Sequence, residues 1–295
     1  MNFTTLFQHL VQGVALGCTY GLVALGYSMQ FSAMRLVNFA HGESFTLGAF
    51  VALTLTATGG FSYAAAFVGA IATLAVVGLV LERVAIRPLY RADDLSMLTA
   101  TIGLSIIVRQ AVNLIWGADA RPFASGFDGV VYELGAVTVT LQQIVTVAGA
   151  LVLMGGLELF LTRTRLGIAT RALAQDETTA ALMGINVPRL RALVFAISTA
   201  LGAAAGILFA SLTYAVFDMG LWMGLKGFAA AVLGGLGSLP GAVLGGLVLG
   251  LLEQLSSGYI SSLYRDVTSL TVLILVLLLR PRGLLGRRGS IWGKV

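Results

Sequence analysis

What most restricts the fold of this chain is a succession of apolar runs of roughly 20 residues, each long enough to cross a hydrocarbon layer about 30 Å thick. Of 295 residues, 58% are hydrophobic and 11% are charged, and the mean hydropathy is +0.94. One water-soluble core cannot hide that much apolar surface, so lipid is the expected solvent. Spans in lipid must satisfy their own backbone hydrogen bonds, which makes each one a helix. The predicted class is therefore all-α, a polytopic membrane protein of about eight transmembrane helices with one Gly/Pro-broken segment. Residues 1–295 are read as a single transmembrane domain. The 37 glycines are well above the soluble average of roughly 7% and predict close helix packing.

Charge orders the spans. The net charge of +5 comes from basic residues beside apolar runs, and no aromatic-interleaved basic face is present, so no nucleic-acid partner is expected. Arg and Lys favour the cytoplasmic side, which places there Arg35, the segment with Arg83, Arg87 and Arg91, the loop 163–191 and the basic tail 280–295. The segment from Gly117 to Gln143 carries Asp119, Asp128 and Glu133 against Arg121 and is placed outside, with a small hairpin predicted from Val130–Tyr132 and Val137–Thr140. Parity then puts the N-terminus outside and the C-terminus in the cytoplasm. Met1 to Thr5 lack a basic start, so the first apolar run is read as a retained span and not a secretory signal. Cys18 stands alone, which supplies neither a disulfide framework nor a Cys-based metal site.

In chain order, span 1 (Leu6 to Phe31) carries Gly13, Gly17 and Gly21 on one helix face, a close-contact seam. Span 2 (Leu36 to Thr58) opens with Asn38, His41, Glu43 and Ser44. Polar groups in a span are costly and usually face a bundle interior or a wet cavity, so Asn38, His41 and Glu43 are candidates for a translocation path, against the plainer alternative of interhelical hydrogen bonding. Spans 3 (Ser62 to Leu81) and 4 (Ser96 to Trp116) follow, the latter with Arg109, which needs either a buried acid or a route to water. Span 5 runs from Leu141 to Leu161 and span 6 from Ala192 to Leu212, with Gly202 and Gly206 as a second seam; Tyr214 to Trp222 is read as an outer aromatic interface. The segment from Lys226 to Gly250 is interrupted by Gly234, Gly235, Gly237 and Pro240. It is expected to break at membrane depth and line a path, beginning and ending outside as a re-entrant pair or two short spans. Span 8 covers Leu263 to Leu279. By these boundaries Glu43, Glu158 and Glu253 lie toward span ends, which argues against an ion-coupled carrier.

The longest polar interruption is 163–191, with five arginines against Asp176 and Glu177. Asp176 is positioned to cap a short helix from Glu177 to Met183, with Gly184 to stop it, and Pro188 suits the first turn of the next helix. Leu182 and Met183 would stand on this helix among alanines, a shape that a cytosolic partner could seat; a simple connector is the alternative. The chain has no GxxxxGK[ST] loop, no convincing Ser-His-Asp set, and two histidines, His9 and His41, that match no zinc spacing. These absences point to a translocation subunit that is not itself an enzyme.

Three motifs then occur in order: NFAHGE from Asn38 to Glu43, RALAQDETTAALMGIN from Arg171 to Asn186 followed by PRLRAL, and GGLGSLPGAVLGG from Gly234 to Gly246. Together they resemble the LivH-type permeases of branched-chain amino-acid ABC importers, across nearly the whole chain. The resemblance implies a multi-pass protein of the bacterial inner membrane, paired with a LivM-like second permease, two cytosolic ABC ATPases and a periplasmic amino-acid-binding protein. It implies no cofactor on this chain, with ATP and Mg on the ATPases. It also assigns ATPase coupling to the loop, with Glu177, Ala180, Ala181 and Gly184 where the signature of such a loop would stand; with the cap and apolar tip read above and the motif's first residue, the coupling candidates are Arg171, Asp176, Glu177, Ala180, Ala181, Leu182, Met183 and Gly184. Thr178 and Thr179 depart from the simplest form of that loop signature, where alanines are expected. The cargo stays open between branched-chain or other amino acids and urea or short amides. An ion-coupled carrier or channel is the alternative from another class.

Overall fold

The computed structural model describes residues 3–127, 129–135, 137–280 and 283–286. Met1, Asn2, Asp128 and most of the basic tail expected at 280–295 lie outside the described residues. The regular elements of the described residues are helices apart from one two-stranded ribbon, and six of the helices are long and apolar enough to cross a membrane.

Helix α1 (Phe3–Met34) is the axis of the bundle. Its glycine seam packs against α10 (Leu239–Tyr259), running the opposite way: a methyl group at Gly13 would touch Leu251, at Gly17 Leu247, and at Gly246 the backbone of Gly21. Small residues allow this approach because nothing separates the two backbones, the usual basis of helix association in lipid. Helix α2 (His41–Ala57) and α8 (Val187–Ala210) use a second seam, where Gly202 faces Ser44 and Gly206 faces the backbone of Phe45. Helices α3 (Tyr63–Leu81), α4 (Asp94–Trp116), α5 (Leu141–Arg163) and α11 (Arg265–Leu279) lie around this centre and expose many large apolar side chains, Val68, Leu114, Val152 and Leu278 among them. A membrane or a partner subunit must cover such surface.

The two ends of the bundle differ. At one end, β1 (Val131–Leu134) pairs antiparallel with β2 (Val137–Thr140) in the register Val131↔Thr140, as the hairpin reading predicts. Gln8 of α1 clamps this ribbon, donating to Thr138 O and accepting from Thr138 N at 2.9 and 3.0 Å. At the other end are α6 (Arg165–Gln175), α7 (Glu177–Leu182) and the link from α3 to α4, which is a π-helical turn (Glu82–Ile86) followed by a 3-10 turn (Arg87–Arg91).

Three expectations change. Helix α2 begins at His41 and not Leu36, because α1 continues to Met34 and Arg35 then takes a left-handed φ of 55°, starting a turn that runs to Ala40. Residues 165–175, read as plain loop, form α6, capped by the Thr164 hydroxyl, which accepts from Gly167 N at 3.0 Å. The Gly/Pro interruption lies at one end of the bundle. It is the tight turn between α9 (Met219–Gly234) and α10, whose helices span about 24 and 32 Å at about 1.5 Å per residue.

The physical reason lies on both sides of that turn. Met219 to Leu225, assigned from sequence to an aromatic interface and a connector, is already helix. Gly235 and Gly237 supply the φ values of 104° and 85° that end α9, and the Ser238 hydroxyl caps α10, with Pro240 in its first turn. Ser32 Oγ donates to Gly237 O at 3.3 Å, so the turn sits beside the last residues of α1, at the same end as α6 and α7. Leu284 N and Leu285 N donate to Leu233 O and Gly234 O there at 2.8 and 3.0 Å, bringing the described part of the tail to this end as well.

Candidate functional site

Buried polar side chains gather where the turn after α1 enters α2. Asn38 Nδ2 donates to Gln30 Oε1 at 3.0 Å, Asn38 Oδ1 accepts from Ala40 N at 3.0 Å, and Gln30 Nε2 reaches His41 Nδ1 at 3.4 Å. With its Oε1 accepting from Asn38, Gln30 offers its Nε2 to the ring, and the sense of the Gln30–His41 contact follows the imidazole tautomer. The Nε2 atom of His41 is enclosed against Gly26 of α1, and the adjoining ring carbon Cε1 also meets Gly202 of α8. Tyr27 meets the imidazole edge-on at 4.7 Å between ring centres. His41 is thus wedged into two glycine slots.

Glu43, in the first turn of α2, is 1% exposed. Ser105 Oγ of α4 donates to its Oε1 at 2.8 Å, while Oε2 has no hydrogen-bond partner and lies against Gly220 in the first turn of α9. The starts of α2 and α9 therefore meet inside the bundle, joined also by Gly220 N donating to Thr46 Oγ1 at 2.8 Å. Both helix N-termini present positive dipole ends toward this carboxyl group. A cavity of about 10 Å³ adjoins the cluster, with Asn38, His41, Glu43 and Ser44 on one side and Leu47, Leu104 and Phe195 among its apolar walls. That is room for about one water.

The sequence candidates are not all in one place. Asn38, His41 and Glu43 are brought together, whereas Gly234, Gly235, Gly237 and Pro240 sit at the α9–α10 turn beside Ser32. Glu43 is not near a span end in any useful sense, since α2 starts within the bundle, and Glu253 is fully buried about two turns before the end of α10.

Glu253 belongs to a second buried cluster that sequence reading missed. Lys226 Nζ of α9 pairs with its Oε1 at 2.9 Å, the Tyr20 hydroxyl lies 3.0 Å from each oxygen, Ser269 Oγ donates to Oε2 at 2.8 Å, and Arg265 Nε is bound to Oε1. Lys226 also pairs with Asp266 at 2.7 Å. The available signal was one lysine and one glutamate inside otherwise apolar runs, a pattern that calls for a partner.

At the far end, α7 has the cap that the sequence predicts: Thr179 N donates to Asp176 Oδ1 at 3.0 Å. Hydrogen bonds from the backbone N–H and then the hydroxyl of Thr179 hold the Asp176 carboxyl below its ordinary value. Helix α7 ends at Leu182, with Met183 as its cap and Gly184 at a φ of 83°. Ala180 faces inward, whereas Leu182 and Met183 are 83% and 79% exposed, with Ala181 and Gly184 beside them. Arg171 is exposed on α6. Glu177 Oε2 accepts from Arg191 Nη2 at 2.6 Å.

Comparison with known proteins matches residues 9–279 to the family described as branched-chain amino acid transport system, permease component. The high-affinity branched-chain amino acid transport system permease protein LivH of Escherichia coli K12 is 41% identical, with 97% of each chain covered. The corresponding permease protein BraD of Pseudomonas aeruginosa is 40% identical, with 95% of each covered. Among solved structures, PsaBC from Streptococcus pneumoniae in complex with Fab superposes with a TM-score of 0.51 at 14% identity over 95% of this chain and 94% of that one, a likeness of fold.

Proposed function

The chain belongs to the branched-chain amino acid transport permease family, and from that premise we propose that it imports hydrophobic amino acids by coupling α7 to a nucleotide-hydrolysing partner. It is a multi-pass permease subunit, not the ATPase. In this reading residues 1–295 form one permease unit, assembled with a LivM-like second permease, two cytosolic ABC ATPases that hold ATP and Mg, and a periplasmic amino-acid-binding protein. Orientation follows from charge: the end with α6, α7, Arg35 and the tail faces the cytoplasm, and the end with the β-ribbon and the N-terminus faces out.

The observation that carries the reading is the pair Leu182 and Met183, almost fully exposed at the tip of a capped helix that hangs from the bundle. Exposed large apolar side chains on a short, rigid, polar-flanked element are what a groove on a partner would bury. Closure of the ATPases moves α7 as a lever and rocks α5 and α8, to which it is joined through α6 and the turn at Gly184. Asn38, His41 and Glu43 are assigned to the translocation path, with the Gly234, Gly235, Gly237 and Pro240 turn moving at its inner end. Asn38, His41 and Glu43 supply polar groups and the adjoining Leu47, Leu104 and Phe195 supply apolar contacts, a pairing that suits a hydrophobic amino acid.

The test is a pair of substitutions, Leu182→Asp and Gly184→Val, in the assembled transporter. The first places a charge in the seat. The second puts a β-branched side chain where φ is 83°, which only glycine adopts freely. Transport-coupled ATP hydrolysis should fall by about 10-fold or more in each, as for loss of a hot-spot contact. Unchanged coupling in an assembled complex would remove the lever.

A further inference from the structure

Helix α7 has six residues and one buried side chain, Ala180, so its covalent ends give only part of its mechanical connection. The rest passes through Arg191, in the first turns of α8. Its Nη2 donates to Glu177 at 2.6 Å, its Nε donates to Ala33 O at 3.3 Å, and its guanidinium lies 4.6 Å from the centre of the Tyr90 ring. Ala33 O is one of the last carbonyls of α1, a group with no partner inside its own helix, and a cation there is favoured by the helix dipole. Tyr90 in turn donates its hydroxyl to Glu82 at 2.9 Å, and Glu82 is the fully buried first residue of the π-helical turn after α3. Arg35, at the left-handed residue just past α1, donates to Ala174 O in the last turn of α6 at 2.8 Å.

Two arginines therefore tie the α6–α7 unit to the turn between α1 and α2, and that turn leads to Asn38 three residues later. The body of α1 is held to α10 by the Gly13, Gly17 and Gly21 seam. Displacement applied at its final turn is consequently taken up by the link 35–40 and not by the whole helix. Interiors packed this closely shift between discrete arrangements instead of deforming smoothly.

We propose that Arg191 and Tyr90 are positioning residues for coupling: they transmit the movement of α7 into the α1–α2 turn, so the stroke reaches Asn38 and His41 directly as well as through α5 and α8. This rests on the coupling reading above and adds a route to it. Arginine is suited to the task because its planar fork can bind a carboxylate and a carbonyl while its face stacks on a ring, which lysine cannot reproduce.

The experiment places a spin label at Val37→Cys to report the α1–α2 turn and, separately, at Leu193→Cys to report α8, in the assembled transporter with the ATPases trapped by vanadate. Both reporters should move in the otherwise unaltered complex. In Arg191→Ala, which leaves the Arg35 tie, the Val37 reporter should move much less than in the unaltered complex while the Leu193 reporter moves fully, and cargo moved per ATP should drop about 10-fold, within the range of coupling effects seen for intermediate residues. Tyr90→Leu should act the same way and Tyr90→Phe, which keeps the ring beneath the guanidinium, much less; this pair carries the test if Arg191→Ala fails to assemble. Undiminished movement of both reporters in Arg191→Ala or Tyr90→Leu overturns the relay and leaves the lever standing. If neither reporter moves in the unaltered complex, the lever itself falls, and the relay with it.

Discussion

Glu43 and Glu253 are the same residue in the same bundle, both essentially without exposure, and the structure treats them in opposite ways. Glu253 is saturated: Lys226 and Arg265 balance its charge, and Tyr20 and Ser269 complete its hydrogen bonds. Glu43 has Ser105 on one oxygen and nothing bonded to the other, and it makes none of the ion pairs found among the described residues. Saturation fixes α1, α9, α10 and α11 relative to one another, since every member of the cluster is costly to leave alone. An incompletely satisfied group at the meeting of α2, α4 and α9 leaves those elements less firmly committed. The difference separates a pin from a working position.

Substitution of each acid by its amide puts that contrast to its hardest test. Glu253→Gln leaves Arg265 without this carboxylate and buried Lys226 with Asp266 alone as counter-charge, and breaking a buried pair in this way costs up to about 3–5 kcal/mol. The expected result is a large loss of folded, detergent-stable protein in thermal denaturation and size-exclusion profiles. Glu43→Gln keeps an acceptor for Ser105, so stability should change by no more than about 1 kcal/mol, while uptake by the assembled transporter falls to less than about half. Equal destabilisation by the two amides would erase the distinction between pin and working position.

Asp176 offers a solvent-exposed acid as a baseline, and the smallest effect. Its folded value is depressed by the Thr179 hydrogen bonds, so the cap on α7 contributes fully above the ordinary aspartate range near 4 and is lost as pH falls through the lower folded value. A spin label at Met183→Cys should gain mobility on acidification from about pH 6 to about pH 3. With Asp176→Asn, whose side-chain oxygen also accepts from an N–H, the label should hold a constant mobility over that range. Acid-induced mobility that persists in the Asn variant would assign the loosening to another group.

Much of the architecture was legible because its causes are local. Apolar run length marked the spans, Asp176 and Pro188 marked the ends of α7 and α8, and alternating residues around Gly135 marked the ribbon. Asn38, His41 and Glu43 could be singled out as a group because three polar residues in one apolar run have no local explanation. The α9–α10 turn was legible only as an interruption, since GGLGSLPG carries the same signal whether it interrupts a span or ends one. Only the helical course of Met219 to Leu225 decides which. The partners of Glu253 could not be read for a different reason: Tyr20 and Glu253 are 233 residues apart, and nothing local in either segment refers to the other.

By itself, then, the order of residues determined the solvent, the helical class, the capped α7 and its apolar tip, because hydrophobic run length, capping chemistry and glycine content act over a few turns of chain. Tertiary structure alone decided which buried acid is neutralised and which is left open, that Arg191 joins α7 to the end of α1, and that the first turns of α2 and α9 meet inside the bundle. Those outcomes depend on which helix faces which, and that is set by glycine seams whose partners lie far apart in the chain.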